Sequence, residues 1–398
     1  MLNETVLALG KKRSTIRELF EYGNQRAAIV GRENIFDFSI GNPNVPAPDT
    51  VKQAILDILS EEDPAVTHGY TSAQGADFAR AGIADDLNRR FGTSYDPHNL
   101  YLTVGAAAAI SICFKALTAS PEDEFIVFAP YFPEYKVFIE HGAGAKFVLV
   151  PPSIADFQIN FAALEERITP RTKAVIVNSP NNPSGVIYSE ETVARLAALL
   201  RAKEAEYGHP IFIISDEPYR ELAYDNAVVP FLPNCYDHTL VCYSYSKSLS
   251  LPGERIGYVL VPDTVPDQGD LYAAVCGAGR VLGYVNAPSL FQRVAARCAG
   301  QTSDISIYAR NRELLYNGLI SFGYKCVKPD GAFYMFPQTL EADDAAFCER
   351  AKQYDLLIVP GADFGAPGHM RISYCVKTET IERALPLFKK LAEDYGVL

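Results

Sequence analysis

TLVCYSYSKS, residues 239–248, runs from an uninterrupted apolar segment straight into a polar turn that ends in a lysine and a serine. The first five residues are apolar or β-branched without alternation, and they read as a buried strand. A lysine just past such a strand, Lys247, stands beside an apolar interior. A desolvated amine there loses its proton more readily and can form a Schiff base. Taken singly, a serine–x–serine–lysine turn is an ordinary surface loop, so its meaning depends on the rest of the chain.

The same pattern repeats before it. Residues 100–104, 124–129, 146–150, 174–177 and 211–214 are short continuous apolar runs, several followed by a turn and an amphipathic helix. Gly105 precedes the helix-prone AAAAISICFKAL, and PYFP at 130–133 precedes a helix to about residue 140. Ser189 caps a helix over 190–207 that Gly208 ends. Alternating strands and helices predict βαβ units and a mostly parallel sheet flanked by helices, an α/β fold. Residues 255–261 add a further strand, with an antiparallel direction left open.

The flanks are less regular. A helical arm is expected over 13–30, a strand over 35–40 ending at Gly41, and a helix from Asp49 or Thr50 to about residue 59. Tyr70 sits in a polar turn, and a helix over 74–91 stops at Gly92. After about residue 285 come helices near 288–299, 303–321, 343–354 and 379–394, and strands near 324–327, 332–336, 356–359 and 370–374. This predicts a large domain over 46–287 and a smaller α+β domain formed by 1–45 and 288–398. The helix at 303–321 is expected to pack between the two.

At 398 residues the chain exceeds the size of a single core, which also argues for two domains. Hydrophobic residues make up 48% and charged residues 21%, as in an ordinary soluble protein. A net charge of −12 argues against nucleic acid or an anionic membrane as partner. The eight cysteines form no CxxC pair and fit reduced thiols in the cytoplasm. The start of the chain has the wrong order for a signal peptide, and no apolar run is long enough for a membrane helix. The six histidines lack ligand spacing, so no metal is expected. GAGRVLG at 277–283 nearly matches a dinucleotide fingerprint, but its spacing is wrong and no strand precedes it.

Gly105, the Asn181-Asn182-Pro183 loop, Asp216, Tyr219 and Lys247 all fall just past the carboxyl ends of predicted strands. Ligands of open parallel sheets bind there. The side chains suit pyridoxal 5'-phosphate, which needs an amine, a carboxylate for its ring nitrogen, and donors for its phenolate and phosphate. Lys247 supplies the amine and Asp216 the carboxylate, while Asn182 and Tyr219 donate to the phenolate. Gly105 opens a helix whose Ala106 and Ala107 N–H groups can hold the phosphate. Ser244, Ser246 and Arg255 complete that cup, and Phe132 stacks on the ring. Each has an ordinary structural explanation alone; their joint order favours the site.

With those residues the chain resembles the class I aminotransferases among the fold-type I pyridoxal-phosphate enzymes. The signatures are Ser179-Pro180-Asn181-Asn182-Pro183-Ser184-Gly185, Asp216-Glu217-Pro218-Tyr219, Ser244-Tyr245-Ser246-Lys247 with Arg255-Ile256-Gly257, and Arg371 near the end. The resemblance implies ping-pong transfer of an amino group from an α-amino acid, with aspartate a candidate, to a 2-oxo acid such as 2-oxoglutarate. It implies that Lys247 carries the cofactor as a Schiff base, that Arg371 grips the substrate carboxylate, and that Gly41 lines the substrate pocket. It further implies a homodimer in which Tyr70 reaches the cofactor phosphate of the other subunit. Arg371 also fits on physical grounds, since a carboxylate favours a planar two-donor partner. The chain departs from the best-known aspartate enzymes in offering Phe132 for a tryptophan and Ala107 where some bacterial members carry a lysine. Arg280 lies near the place where other members bring an arginine across the dimer. A β-lyase acting on cysteine-type substrates would use the same constellation, and a non-catalytic regulatory protein could retain the fold.

Overall fold

A computed structural model describes residues 2–11 and 14–398. At its centre is a seven-stranded sheet. Its strands are β1 (Leu100–Thr103), β2 (Glu124–Phe128), β3 (Lys146–Val150), β4 (Thr172–Asn178), β5 (Phe212–Asp216), β6 (Thr239–Ser244) and β7 (Gly257–Leu260). They lie in the order β1-β7-β6-β5-β4-β2-β3. β6, β5, β4, β2 and β3 pair parallel. β7 runs antiparallel to both of its neighbours, β1 and β6.

The continuous apolar runs follow from burial on both faces. Successive strand residues point to opposite sides. Val127, Ile176 and Ile214 join the cluster built on Ile110 and Phe114 of helix Ala106–Leu117. Ile126, Val175 and Ile213 join the cluster containing Leu196 and Leu200 of helix Glu190–Tyr207. Ser189 accepts from Thr192 N at the start of that helix, and Gly208 closes it in the left-handed region. Where both faces are covered no polar alternation is needed; only β3, at the sheet edge, is mostly half-buried.

The C-terminal part carries a three-stranded antiparallel sheet of Val359–Pro360, Met370–Ser373 and Tyr334–Met335. Phe36–Asp37 pairs parallel with Leu356–Leu357, which ties the N-terminal segment to this part. Tyr308, Leu315 and Leu319 of helix Ser306–Ser321 pack with Phe388 and Leu391 of helix Thr378–Asp394. Helix Ser306–Ser321 thus shares a core with the last helix, while its Arg312 donates to Pro329 O and Asp225 at its other side.

Several local expectations change. The arm helix is Thr15–Val30, capped by Ser14. Its expected first residue, Arg13, lies outside the described residues. Neither Asp49 nor Thr50 caps helix Asp49–Glu61, whose N-cap is Pro48 with no side-chain bond. The helix ending at Gly92 begins at Asp77 rather than 74, because Gln74 O accepts from Leu102 N. Residues 324–327 form no strand; of them, Lys325 O accepts from Gln338 N. The run at 356–359 divides between two sheets. The glycines at 277–279 belong to helix Gln268–Val281, and a Cβ on Gly279 would lie 2.2 Å from the Tyr101 hydroxyl. Gly279 serves close packing on β1. No helix among the described residues is long and apolar enough to cross a membrane.

Candidate active site

The carboxyl ends of β4, β5 and β6 and the turn after β1 surround a cavity of about 310 Å³. Gly41, Ala106, Ala107, Phe132, Asn182, Asp216, Tyr219, Ser244, Ser246, Lys247, Arg255 and Arg371 all line it. Lys247 sits on the short helix Tyr245–Ser248. Its Nζ donates to Gly41 O at 2.6 Å. Burial, with smaller help from Arg371 and Arg255 against an opposing effect of Cys375, lowers its pKa to about 8. An amine in that state is both a competent nucleophile and a base.

Asp216 closes β5 beside Asn178, its register partner on β4. Tyr135 Oη donates to Asp216 Oδ2, and Asn178 Nδ2 donates to the same oxygen at 3.3 Å. Oδ1 is buried and has no hydrogen-bond partner among the described residues. Burial raises the Asp216 pKa to about 7, opposed by the Tyr135 hydrogen bond.

Arg371 reaches the cavity from the three-stranded sheet. It donates to Asn182 Oδ1 at 3.1 Å and to Ser39 O, and its buried Nε has no partner among the described residues. Rings of Tyr334 and Phe364 each lie 4.8 Å from its guanidinium carbon. Burial lowers its pKa. Asn182 thus has its oxygen occupied, which leaves its Nδ2 as the end for a ligand.

At the other end, Ser244 Oγ and Ser246 Oγ are 2.7 Å apart. Arg255 Nη1 lies 3.5 Å from Ser246 Oγ, and Nη2 donates to Val104 O at 3.1 Å. Gly105 has φ +90°, and a Cβ there would fall 2.5 Å from Arg255 Nη2. The turn is glycine because the guanidinium lies against it, and helix Ala106–Leu117 starts there with free N–H groups facing the same end.

Residues 33–387 match the family described as aminotransferase class I and II. The chain belongs to that family. Among its relatives, the aspartate/prephenate aminotransferase of Thermus thermophilus is 30% identical, with 92% of this chain and 94% of that protein covered. The aspartate aminotransferase of Geobacillus stearothermophilus is 29% identical over 90% of this chain and 92% of that protein. A solved aminotransferase from Eubacterium rectale is 60% identical, superposes with a TM-score of 0.97 and covers 99% of both chains. A Thermus thermophilus aspartate aminotransferase structure gives 0.85 at 28% identity, over 98% of this chain and 99% of that one. The protein is an aminotransferase, of a family whose members are generally pyridoxal-phosphate-dependent.

Two expected residues of the aminotransferase stand apart from its cavity. Gly105 shapes the turn without lining it. Tyr70 is 95% exposed and does not reach the cavity of its own chain. Arg280 likewise is exposed on helix Gln268–Val281 and lies outside the lining. Three residues that the sequence reading passed over carry much of the site. Tyr334 shares a 2.9 Å hydrogen bond with Tyr219. Tyr135 and Asn178 hold Asp216. Asn178 ends a strand, so the rule that located Asp216 points to it too. Tyr334 is brought in from the C-terminal sheet and carries no local signal.

Proposed function

We propose that this aminotransferase uses pyridoxal 5'-phosphate to move the amino group of an α-amino acid, aspartate among the candidates, to a 2-oxo acid such as 2-oxoglutarate. The observation that carries the reading is Asp216 Oδ1, a buried acceptor without a donor among the described residues, in a residue that lines the same cavity as Lys247. A buried acceptor left unmatched is costly, and a protonated ring nitrogen satisfies it. When bound, the cofactor supplies an aldehyde for the amine and a ring that withdraws electrons from the substrate Cα.

The chain's own groups do the rest. Lys247 Nζ, held beside Gly41 O, would hold the cofactor aldehyde and, as a free amine, would take and return the Cα proton. Asp216 holds the proton on the ring nitrogen. Asn182 Nδ2 and Tyr219 Oη orient the phenolate oxygen. Ser244, Ser246, Arg255 and the N–H groups of Ala106 and Ala107 retain the phosphate while Lys247 is free. Phe132 covers one ring face. Arg371, with Nε unmatched, takes the substrate carboxylate as a planar fork, and Gly41 leaves room beside it. We propose the division into 46–287 and the joint unit of 1–45 with 288–398, and a cytoplasmic homodimer in which Tyr70 completes the partner's phosphate site.

The test is optical and kinetic. The purified protein should be yellow, with a visible band that moves on adding an amino donor, and Lys247→Ala should lose nearly all turnover. A colourless protein that pyridoxal 5'-phosphate fails to reconstitute, or a Lys247→Ala variant with full activity, would sink the reading.

A further inference from the structure

Tyr70 is almost fully exposed, yet the loop that follows it is tied down by side-chain hydrogen bonds from Asn286 and Gln292. Asn286 Nδ2 donates to Thr71 O at 3.0 Å and to Ser72 O at 2.8 Å. Gln292, wholly buried, spans the loop: its Nε2 donates to Thr71 Oγ1 at 3.1 Å and to Ala287 O at 2.8 Å, and its Oε1 accepts from Ala76 N at 2.8 Å. Arg293 fixes the other flank, donating to Val66 O at 3.1 Å and to Glu62 Oε2 at 2.6 Å. Leu102 N, on β1 shortly before the phosphate turn, donates to Gln74 O at 2.9 Å.

Ordering a loop costs conformational entropy for every residue fixed, and burying a glutamine amide is unfavourable unless every polar atom is matched. Here Gln292 is matched by Thr71 Oγ1, Ala287 O and Ala76 N, and Asn286 by the Thr71 and Ser72 carbonyls that follow Tyr70. The side chain so presented has no partner in its own chain's cavity. Val66, Phe78 and Val285, all exposed, lie on the same tied segments. The Phe78 ring lies 5.1 Å from the guanidinium carbon of Arg293.

We infer that Asn286 and Gln292 are positioning residues that hold the Thr71–Ser72 backbone so that Tyr70 is delivered, preformed, to the phosphate end of the site in a second copy of this chain. The inference rests on the proposed homodimer and goes beyond it. It assigns the geometry of one subunit's site to side chains of the other that lie outside the cavity lining of their own chain. A preformed donor binds more tightly than one that must be ordered on binding.

The experiment measures affinity rather than turnover. Asn286→Ala should weaken binding of pyridoxal 5'-phosphate by about tenfold, the scale of one hydrogen bond to a charged group. It should leave the affinity for pyridoxal, which lacks the phosphate, unchanged. A differently tagged hybrid of Asn286→Ala and Lys247→Ala chains should then show one visible-band site per dimer with wild-type affinity, because its working site draws Tyr70 from the Lys247→Ala chain. Equal weakening toward pyridoxal, unaltered affinity in Asn286→Ala, or a hybrid as weak as the Asn286→Ala homodimer would each overturn the inference. If Asn286→Ala does not fold, Thr71→Val carries the same test, since Thr71 Oγ1 accepts from both amides. A chain that sediments as a fully active monomer would instead remove the homodimer reading itself.

Discussion

Lys247 is a case in which one residue's surroundings set its chemistry. Its amine lies 5.2 and 6.0 Å from the ring centroids of Phe333 and Tyr219. Two guanidiniums add to the effect of burial in bringing its pKa to about 8. Only the neutral amine attacks an aldehyde. Reconstitution of the cofactor-free protein should therefore speed up as pH rises and level off above about 8, which stopped-flow absorbance across a pH series would show. A midpoint near the ordinary lysine value would contradict the burial argument. Arg371 makes the complementary case for geometry. Lysine at that position keeps the charge but loses the fork, so Arg371→Lys should raise KM for the amino donor by about ten- to a hundred-fold while the visible band stays in place. An unchanged KM would assign the carboxylate to another residue.

The elements that deliver these groups are short and their ends are tightly specified. The turn between β1 and helix Ala106–Leu117 shows how. Gly105 adopts φ +90° with ψ 176°, a region that side chains other than glycine rarely enter, and Arg255 lies against it. Gly105→Ala should cost about 1–3 kcal/mol in urea unfolding and weaken cofactor retention, because Arg255 must move from its place by Ser246. An alanine variant of normal stability and affinity would mean that the turn has slack that the geometry denies. This element was legible in the sequence, as were β1–β7, because strands of this sheet announce themselves by uninterrupted apolar runs, those of β1, β4, β5 and β6 breaking into Gly, Asn, Asp or Ser at the site end. The weaker readings fail where the reason is tertiary. The run at 356–359 looks like one strand, yet Leu356–Leu357 and Val359–Pro360 pair with different partners. Helix Gln268–Val281 was hidden by its glycines, of which Gly279 serves close approach to Tyr101. Tyr334 joins the site from 115 residues beyond Tyr219, so no local pattern could place it there.

For the molecule as a whole, the active site is a built-in liability that the proposed cofactor would relieve. Asp216 titrates near 7 when folded against 3.8 for an ordinary aspartate. The folded chain therefore holds that proton more tightly than the unfolded chain. Its contribution to stability is full below pH about 4 and is lost as pH rises through about 7, a change on the order of 4 kcal/mol. Lys247 runs the other way. Its folded value of about 8 lies below 10.5, so its contribution is full above pH about 10.5 and is lost as pH falls through about 8. The two burdens overlap between about pH 7 and 8, where the cofactor-free protein has an ionised Asp216 and a protonated Lys247 in low-dielectric surroundings. Melting temperatures of the cofactor-free protein from pH 4 to 10 should therefore show a local dip in that window. Asp216→Asn should lift the acid-side fall and Lys247→Ala the alkaline-side one, each leaving the other limb in place. Added pyridoxal 5'-phosphate should raise the melting temperature most inside the dip, since it occupies the amine and matches the carboxylate together. A flat profile, or a dip that survives both substitutions, would show that the pH dependence arises elsewhere in the chain.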